Sequence, residues 1–174
     1  MAMTLRRVLK AFIAMVAIIC VSSCVTDDDK VTSLKEGDEV PEFTVTLNDG
    51  STLSTADLRG HTSLVVFFNT SCSDCRQELP ILQRVYEKKP ADAIIVSIAR
   101  EEDKASIEAF WKANGLTLPY SPQPDRRIYN MFASGIIPRI YCVDPNLVIK
   151  AAYGDNNMPG EGALLYLLGA ASQQ

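Results

Sequence analysis

The chain has 174 residues, 47% of them apolar and 22% charged, with 17 basic against 21 acidic side chains and a net charge of −4. That balance argues against nucleic acid as a partner, since nucleic-acid binding needs a basic surface. The length leaves room for one domain with a full core and no second one.

An export leader opens the chain. Arg6, Arg7 and Lys10 precede an uncharged apolar run over 11–21 and the small pair Ser22 and Ser23, the order of a secretory signal over residues 1–23. The run falls short of the roughly 20 residues that a membrane helix needs. Val21-Ser22-Ser23-Cys24 resembles the lipobox of bacterial lipoproteins, which makes Cys24 the expected lipidation site and first mature residue. Cleavage by ordinary signal peptidase, with Cys24 left free or removed, is the alternative. Cys20 is a poorer site, because it follows the bulky Ile19 inside the discarded run.

Losing Arg6, Arg7 and Lys10 from the 17 basic residues leaves 14 against 21 acidic ones, so the mature chain is more acidic still. Residues 24–36 include Asp27-Asp28-Asp29-Lys30, carry few apolar side chains and show no periodicity, so they read as a flexible acidic tether. The acidic run also resembles export signals that follow the lipidated cysteine in some Gram-negative lipoproteins, and a plain spacer fits equally. The expected location is therefore outside the cytoplasm, lipid-anchored in a bacterial cell envelope, facing the periplasm or reaching the outer membrane or surface.

Residues 37–174 read as the folded domain. Phe43 to Leu47 and Ser51 to Leu53 flank Asn48-Asp49-Gly50, the turn chemistry of a β-hairpin. Ser54 to Leu58 reads as a short helical turn closed by Gly60. Leu64 to Phe68 and Ile94 to Ala99 are continuous apolar runs, as expected of strands buried on both faces, and a helix from Cys72 to about Lys88 links them. Such a βαβ unit predicts parallel strands with a right-handed crossover. Ile107, Phe110 and Trp111 fall at helical spacing before Asn114-Gly115, and Trp111 reads as core. Asp125 to Phe132 predicts another short helix. Strands over Ile140 to Val143 and Val148 to Tyr153, joined at Asp144-Pro145-Asn146, predict an antiparallel pair. A closing helix is expected from Pro159 to Ala171, packing Leu164, Leu165 and Leu168.

The chemistry-bearing stretch is Cys72-Ser73-Asp74-Cys75, at the junction of the first buried strand and its helix. Two thiols three residues apart can exchange a disulfide, and the free amides and dipole of a helix N-terminus favour the thiolate of the first. Cys72, at the exposed helix start, is the expected attacking thiol. Cys75, one turn further in, resolves the mixed disulfide. Half of a zinc site is the competing reading of such a pair, but no second pair exists and His61 is the only histidine, so no metal is expected. Cys142 lies in the apolar run over 140–143 and reads as a packing thiol. Glu78 shares the helical side of Cys75; spacing alone reads it more simply as a solvated charge.

The strand, the Cys-x-x-Cys, the helix, Pro80 and the downstream Gly135-Ile136-Ile137-Pro138 stand in the order found in the thioredoxin superfamily. From about Glu36 to Ser172 the chain resembles the exported, membrane-anchored thioredoxin-like disulfide reductases of the TlpA and ResA type. Shared features are the N-terminal hairpin, an insertion after the first βαβ unit, and Glu78-Leu79-Pro80 after the second cysteine. The resemblance implies an α/β, thioredoxin-like three-layer fold with a mixed central sheet, flanking helices and an extra N-terminal hairpin. It also implies that Glu78 relays the proton of the resolving thiol, and that Pro138 is cis, with Ile137 offering its backbone to substrate. An ordinary trans loop proline is the alternative reading of Pro138.

Three departures stand out. Ser71 replaces the family's usual Trp before the first cysteine, Arg139 follows the proline where Thr is common, and Asp74 sits between the thiols, where its charge opposes the thiolate. A less stabilised reduced form means a stronger reductant.

The leading reading is an exported thiol-disulfide oxidoreductase that reduces protein disulfides. Its redox group is the Cys72–Cys75 disulfide, with no cofactor. The chain has no Gly-rich nucleotide fingerprint, so its electrons must come from a membrane electron-donor thiol protein. A catalytically weak binding lipoprotein is the non-enzymatic alternative. Thiol peroxidase is a poorer one, because Asn69 and Val65 stand where peroxiredoxin-related chains carry Pro and Thr or Ser.

Overall fold

The computed structural model describes residues 33–154 and 156–170. The expected leader, Cys24 and the tether as far as residue 32 lie outside the described residues. Ser33 and Leu34, at the end of the stretch expected as tether, sit against the domain: Ser33 bridges Ala133, and Leu34 N–H donates to Phe132 O at 2.8 Å. Leu34 packs on the core.

Thr44–Thr46 (β1) and Thr52–Ser54 (β2) form the antiparallel hairpin. Gly50 supplies the left-handed backbone that its turn requires, at φ +90. The chain then tightens into a 3₁₀ turn over Thr55–Leu58, which Asp57 caps by accepting from both Ser54 N–H and Ser54 Oγ, at 2.8 and 2.6 Å. Leu58 is thereby sunk completely into the core.

Ser63–Phe68 (β3) and Ile94–Ala99 (β4) pair in parallel, in register from Ser63 with Ile94 to Phe68 with Ala99. Every β3 residue is buried, which is why the strand reads as an unbroken apolar run rather than an alternation. Ser73–Lys88 (α1) makes the crossover. Lys104–Asn114 (α2) follows, capped at its start by Asp103, whose side chain accepts from Ser106 N–H, and stopped by Gly115 in the left-handed conformation at φ 65. Tyr120–Ser121 (β5) then pairs in parallel with β4. This strand escapes sequence reading because two residues cannot display a period.

Arg127–Asn130 (α3) is a single turn inside the stretch expected as helix over 125–132. Arg139–Val143 (β6) runs antiparallel to β3, and Ile149–Tyr153 (β7) antiparallel to β6. Glu161–Leu167 (α4) is shorter than the helix expected from Pro159 to Ala171. It starts after Gly160, and Gly169 at φ +81 ends the turn that follows it. The main sheet runs β5-β4-β3-β6-β7.

Consecutive strand residues face opposite sides of a sheet, so Phe67 and Phe68 each lead a separate cluster. Phe67 meets Tyr129, Phe132 and Tyr141, with ring centroids 4.9 to 6.3 Å apart. Phe68 meets Trp111 at 5.1 Å, and Trp111 in turn meets Tyr120 at 4.8 Å. Trp111 is core, with its indole N–H donating to Leu118 O. Cys142 is 1% exposed, and burial lifts its thiol to about 11. Glu161 ties α4 to α1 by ion pairs to Arg84 at 2.7 Å and Lys88 at 2.6 Å.

Gln83 fastens α1 to the segment leading into β5. Its side-chain oxygen accepts from Thr117 N–H and Leu118 N–H at 2.7 and 2.9 Å, while its amide donates to Thr117 Oγ1 and Glu87. Gln83→Ala strands two backbone donors and is expected to cost about 2–3 kcal/mol. Urea denaturation measures this, and a loss below about 0.5 kcal/mol would refute the role.

Candidate functional site

The register of β3 with β4 brings the chain segments after Phe68 and Ala99 side by side, and the site is built on that junction. Asn69, the first residue beyond β3, works in both directions. Its amide donates to Arg100 O at 2.9 Å, and its side-chain oxygen accepts from Ser71 N–H at 2.8 Å and Ser71 Oγ at 2.5 Å. Thr70 N–H donates to Glu102 Oε2 at 2.8 Å, and Thr70 Oγ1 donates to Glu102 Oε1. Glu102 is buried, and Glu101 beside it holds a left-handed backbone at φ 56, uncommon for a residue with a side chain. Ser71 therefore takes part in the turn that aims the cysteines, where an aromatic residue is usual in the resembling chains.

Cys72 is the N-cap of α1, and its Sγ accepts from Cys75 N–H at 3.3 Å. One of the free amides of the helix start thus finds its acceptor in the attacking sulfur itself. Cys72 is partly exposed, whereas Cys75 is fully buried, and both are free thiols. Burial, with Cys72 beside it, pushes the Cys75 thiol far above the ordinary range. Asp74 is exposed and accepts from Ser73 Oγ at 3.3 Å.

Glu78 lies one turn beyond Cys75, on the side of α1 that faces inward. It is only 5% exposed, so it is not the solvated charge that spacing alone favours. Its Oε1 is buried with no hydrogen-bond partner among the described residues. Desolvation raises this carboxyl to about 7, against a small opposing pull from Arg84. Glu78 is thus poised to hold or release a proton near neutrality.

Across from Cys72 stands the Gly135–Pro138 loop. The Ile137–Pro138 bond is cis, Ile137 and Pro138 are buried, and Cys72 Sγ donates to Ile137 O at 3.6 Å. Two neighbouring carbonyls of the loop are also engaged: Gly135 O accepts from Arg100 Nη1 and Ile136 O from Tyr129 Oη, each at 2.8 Å. Arg139 does not stand free beside the thiols. Its guanidinium donates to Ser33 Oγ at 3.1 Å and occupies the space next to Gly154.

The model of the AhpC/TSA family matches residues 36–152. The chain belongs to this family. Among AhpC/TSA-type relatives, the thiol-disulfide oxidoreductase ResA of Bacillus subtilis is 25% identical over 124 residues, covering 70% of this chain and 69% of ResA. The solution structure of a candidate protein disulfide isomerase from Bacteroides thetaiotaomicron aligns at a TM-score of 0.71 and 26% identity, over 82% of this chain and 96% of that one. A thiol:disulfide interchange protein of the thioredoxin family from Chlorobium tepidum shares the fold at a TM-score of 0.66 and 20% identity, over 80% and 99% of the two chains. The fold is thioredoxin-like, and this AhpC/TSA member is a distant homologue of the ResA-type thiol-disulfide oxidoreductases.

Cys72, Cys75, Glu78, Ile137 and Pro138 all fall at this junction, while Cys24 lies outside the described residues. Asn69, Glu102, Arg100 and Tyr129 also build the site, and all but Asn69 have no signature in the sequence. Arg100 and Tyr129 lie 35 and 7 residues from the carbonyls they bond, Asn69 and Glu102 act across two loops, and a pattern read along one segment cannot find them. One local cue was available: Asn69 directly follows a wholly apolar strand, where a polar side chain marks a turn.

The buried Glu78 makes stability depend on pH. Below about pH 4.5 the carboxyl is protonated whether the chain is folded or not, and between that value and about 7 the folded state holds the extra proton. Stability therefore falls as pH rises through this window, by about 3 kcal/mol at most. Glu78→Gln should flatten that fall. Denaturation of the reduced protein at pH 5 and pH 8 checks it, and equal pH slopes for wild type and variant would contradict the assignment.

Proposed function

We propose that this protein is an exported, lipid-anchored thiol-disulfide oxidoreductase that reduces disulfides of other proteins. The observation that carries the reading is the difference in access between the two sulfurs. Cys72 reaches solvent at the helix start, and Cys75 waits behind it in the core. The kinship with ResA supports the same chemistry.

The thiolate of Cys72 attacks one sulfur of a substrate disulfide, forming a mixed disulfide and expelling the other substrate sulfur as a thiolate that takes a proton from solvent. Cys75 then loses its proton, attacks Cys72 Sγ and frees the second substrate sulfur. Substrate gains two electrons and two protons, and the protein is left with the Cys72–Cys75 disulfide. Cys75 does not ionise at working pH without help, and Glu78 one turn away supplies an acceptor that is partly deprotonated near neutral pH, directly or through one water. The proton passes from Cys75 to the Glu78 carboxylate and then to solvent or product.

A reducing direction is supported by what the reduced form lacks. Charge on Cys75 is strongly disfavoured, so its ionisation does nothing to hold the dithiol state, and electrons leave readily. A membrane-bound thiol protein restores the dithiol, and Cys24 anchors the chain in the envelope with the acidic stretch after it as spacer.

Insulin reduction, coupled to a dithiol donor, tests this. Cys72→Ser should lose at least about 100-fold, and Cys75→Ser should retain attack but accumulate mixed disulfides visible on a non-reducing gel. Equal turnover by wild type and Cys72→Ser would point to a binding protein, and peroxide consumption faster than insulin reduction to a peroxidase. Glu78→Gln is expected to slow turnover by about 10- to 100-fold and to remove the rate dependence centred near pH 7. An unchanged pH profile would exclude the relay. The redox potential against glutathione decides direction, and a value as oxidising as that of a disulfide-forming enzyme would reverse it.

A further inference from the structure

Gly135, Ile136 and Ile137 offer three successive carbonyls toward the site, and each is held by a different part of the chain. Arg100 Nη1 and Tyr129 Oη take the first two at 2.8 Å, and Cys72 Sγ takes the third at 3.6 Å. The Arg100 guanidinium also lies 5.2 Å from the centre of the Tyr129 ring, so the two donors brace each other. On the other flank, Ile136 Cδ1 rests 3.2 Å from where a side chain on Gly154 would begin. The absence of that side chain lets the residue just after β7 approach the loop closely.

These three bonds do not last equally through a reaction cycle. Cys72 can donate only while its sulfur carries a proton, and both the thiolate and the mixed disulfide lack one. At attack, Ile137 O is therefore released, just when an extended substrate backbone needs an acceptor for its own N–H. The loop must then stay in place without Cys72. The planar fork of Arg100 can bond a carbonyl while its face lies on a ring.

We propose that Arg100 and Tyr129 form a latch that positions the Gly135–Pro138 loop to receive protein substrates. Both are positioning residues, acting through Gly135 O and Ile136 O, although the Arg100 charge also reaches the Cys75 thiol and opposes its upward shift; the proposal rests on the disulfide-exchange reading given above. Loss of the latch weakens docking of an extended polypeptide. A small disulfide that meets Cys72 without pairing to the loop is affected much less.

The test compares steady-state reduction of insulin and of 5,5′-dithiobis(2-nitrobenzoate) by full-length wild type, Tyr129→Phe and Arg100→Ala. Each variant should raise the KM for insulin about fivefold or more, and Tyr129→Phe, which removes one neutral hydrogen bond and no charge, should leave kcat within about twofold. The KM for the small disulfide should move by less than about twofold. Tyr129→Phe removes a single hydroxyl, so it carries the test if Arg100→Ala does not fold. An unmoved KM for insulin in Tyr129→Phe, or a parallel loss on both substrates, overturns the latch. A wild-type protein that leaves insulin oxidised overturns the reading of the site itself, a result separate from the first.

Discussion

Because Cys72 caps α1 with its own sulfur, the atom that would do the chemistry is also the atom that completes the helix. A serine or aspartate ordinarily offers an oxygen to the free amides of a first turn, and here the Cys75 N–H finds sulfur instead. That single contact sets the spacing of the two cysteines, aims the first outward and leaves the second facing the core. It depends in turn on β3, whose complete burial carries the helix start to the end of the sheet. The neighbouring loop after β4 then grips the turn through Asn69, Thr70 and Glu102.

Around this contact the protein tolerates arrangements that an ordinary core would reject. A carboxyl that is 5% exposed and lacks a partner for one oxygen costs stability whenever it is charged. A non-glycine residue in the left-handed region adjoins the loop that holds Thr70. Such departures from local consistency concentrate where function demands them. In Glu78 the same burial that costs stability raises the carboxyl to about 7, so the penalty and the shift have one cause.

Membership in the AhpC/TSA family and likeness to ResA-type oxidoreductases establish a scaffold and its ancestry, while chemistry resides in particular atoms. The atoms that distinguish this chain lie at the rim. Ser71 bonds into the active-site turn, which leaves no aromatic surface at that position, and Arg139 turns to Ser33 and Gly154. Exposed apolar surface beside the thiols is supplied by Ile136, 39% exposed on the loop opposite Cys72.

The amino-acid sequence by itself determined the central strands, their crossover helix, the hairpin and the cysteine pair, because each announces itself within one short segment. Unbroken apolar runs mean strands covered on both faces, Asn-Asp-Gly means a turn, and two cysteines at a helix start mean paired sulfurs. Short elements were less legible: the two residues of β5 carry no period, and the ends of α4 were decided by glycines rather than by the leucines that mark it. Only the tertiary structure decided that Glu78 is buried, with its carboxyl raised to about 7, since helical spacing tells which side a residue takes but not what covers that side. It alone joined Arg100, Tyr129 and Glu102 to the site. Those side chains act on backbone atoms brought near by sheet register, and hydrogen bonds to a backbone place no demand on the identity of the residue that supplies it.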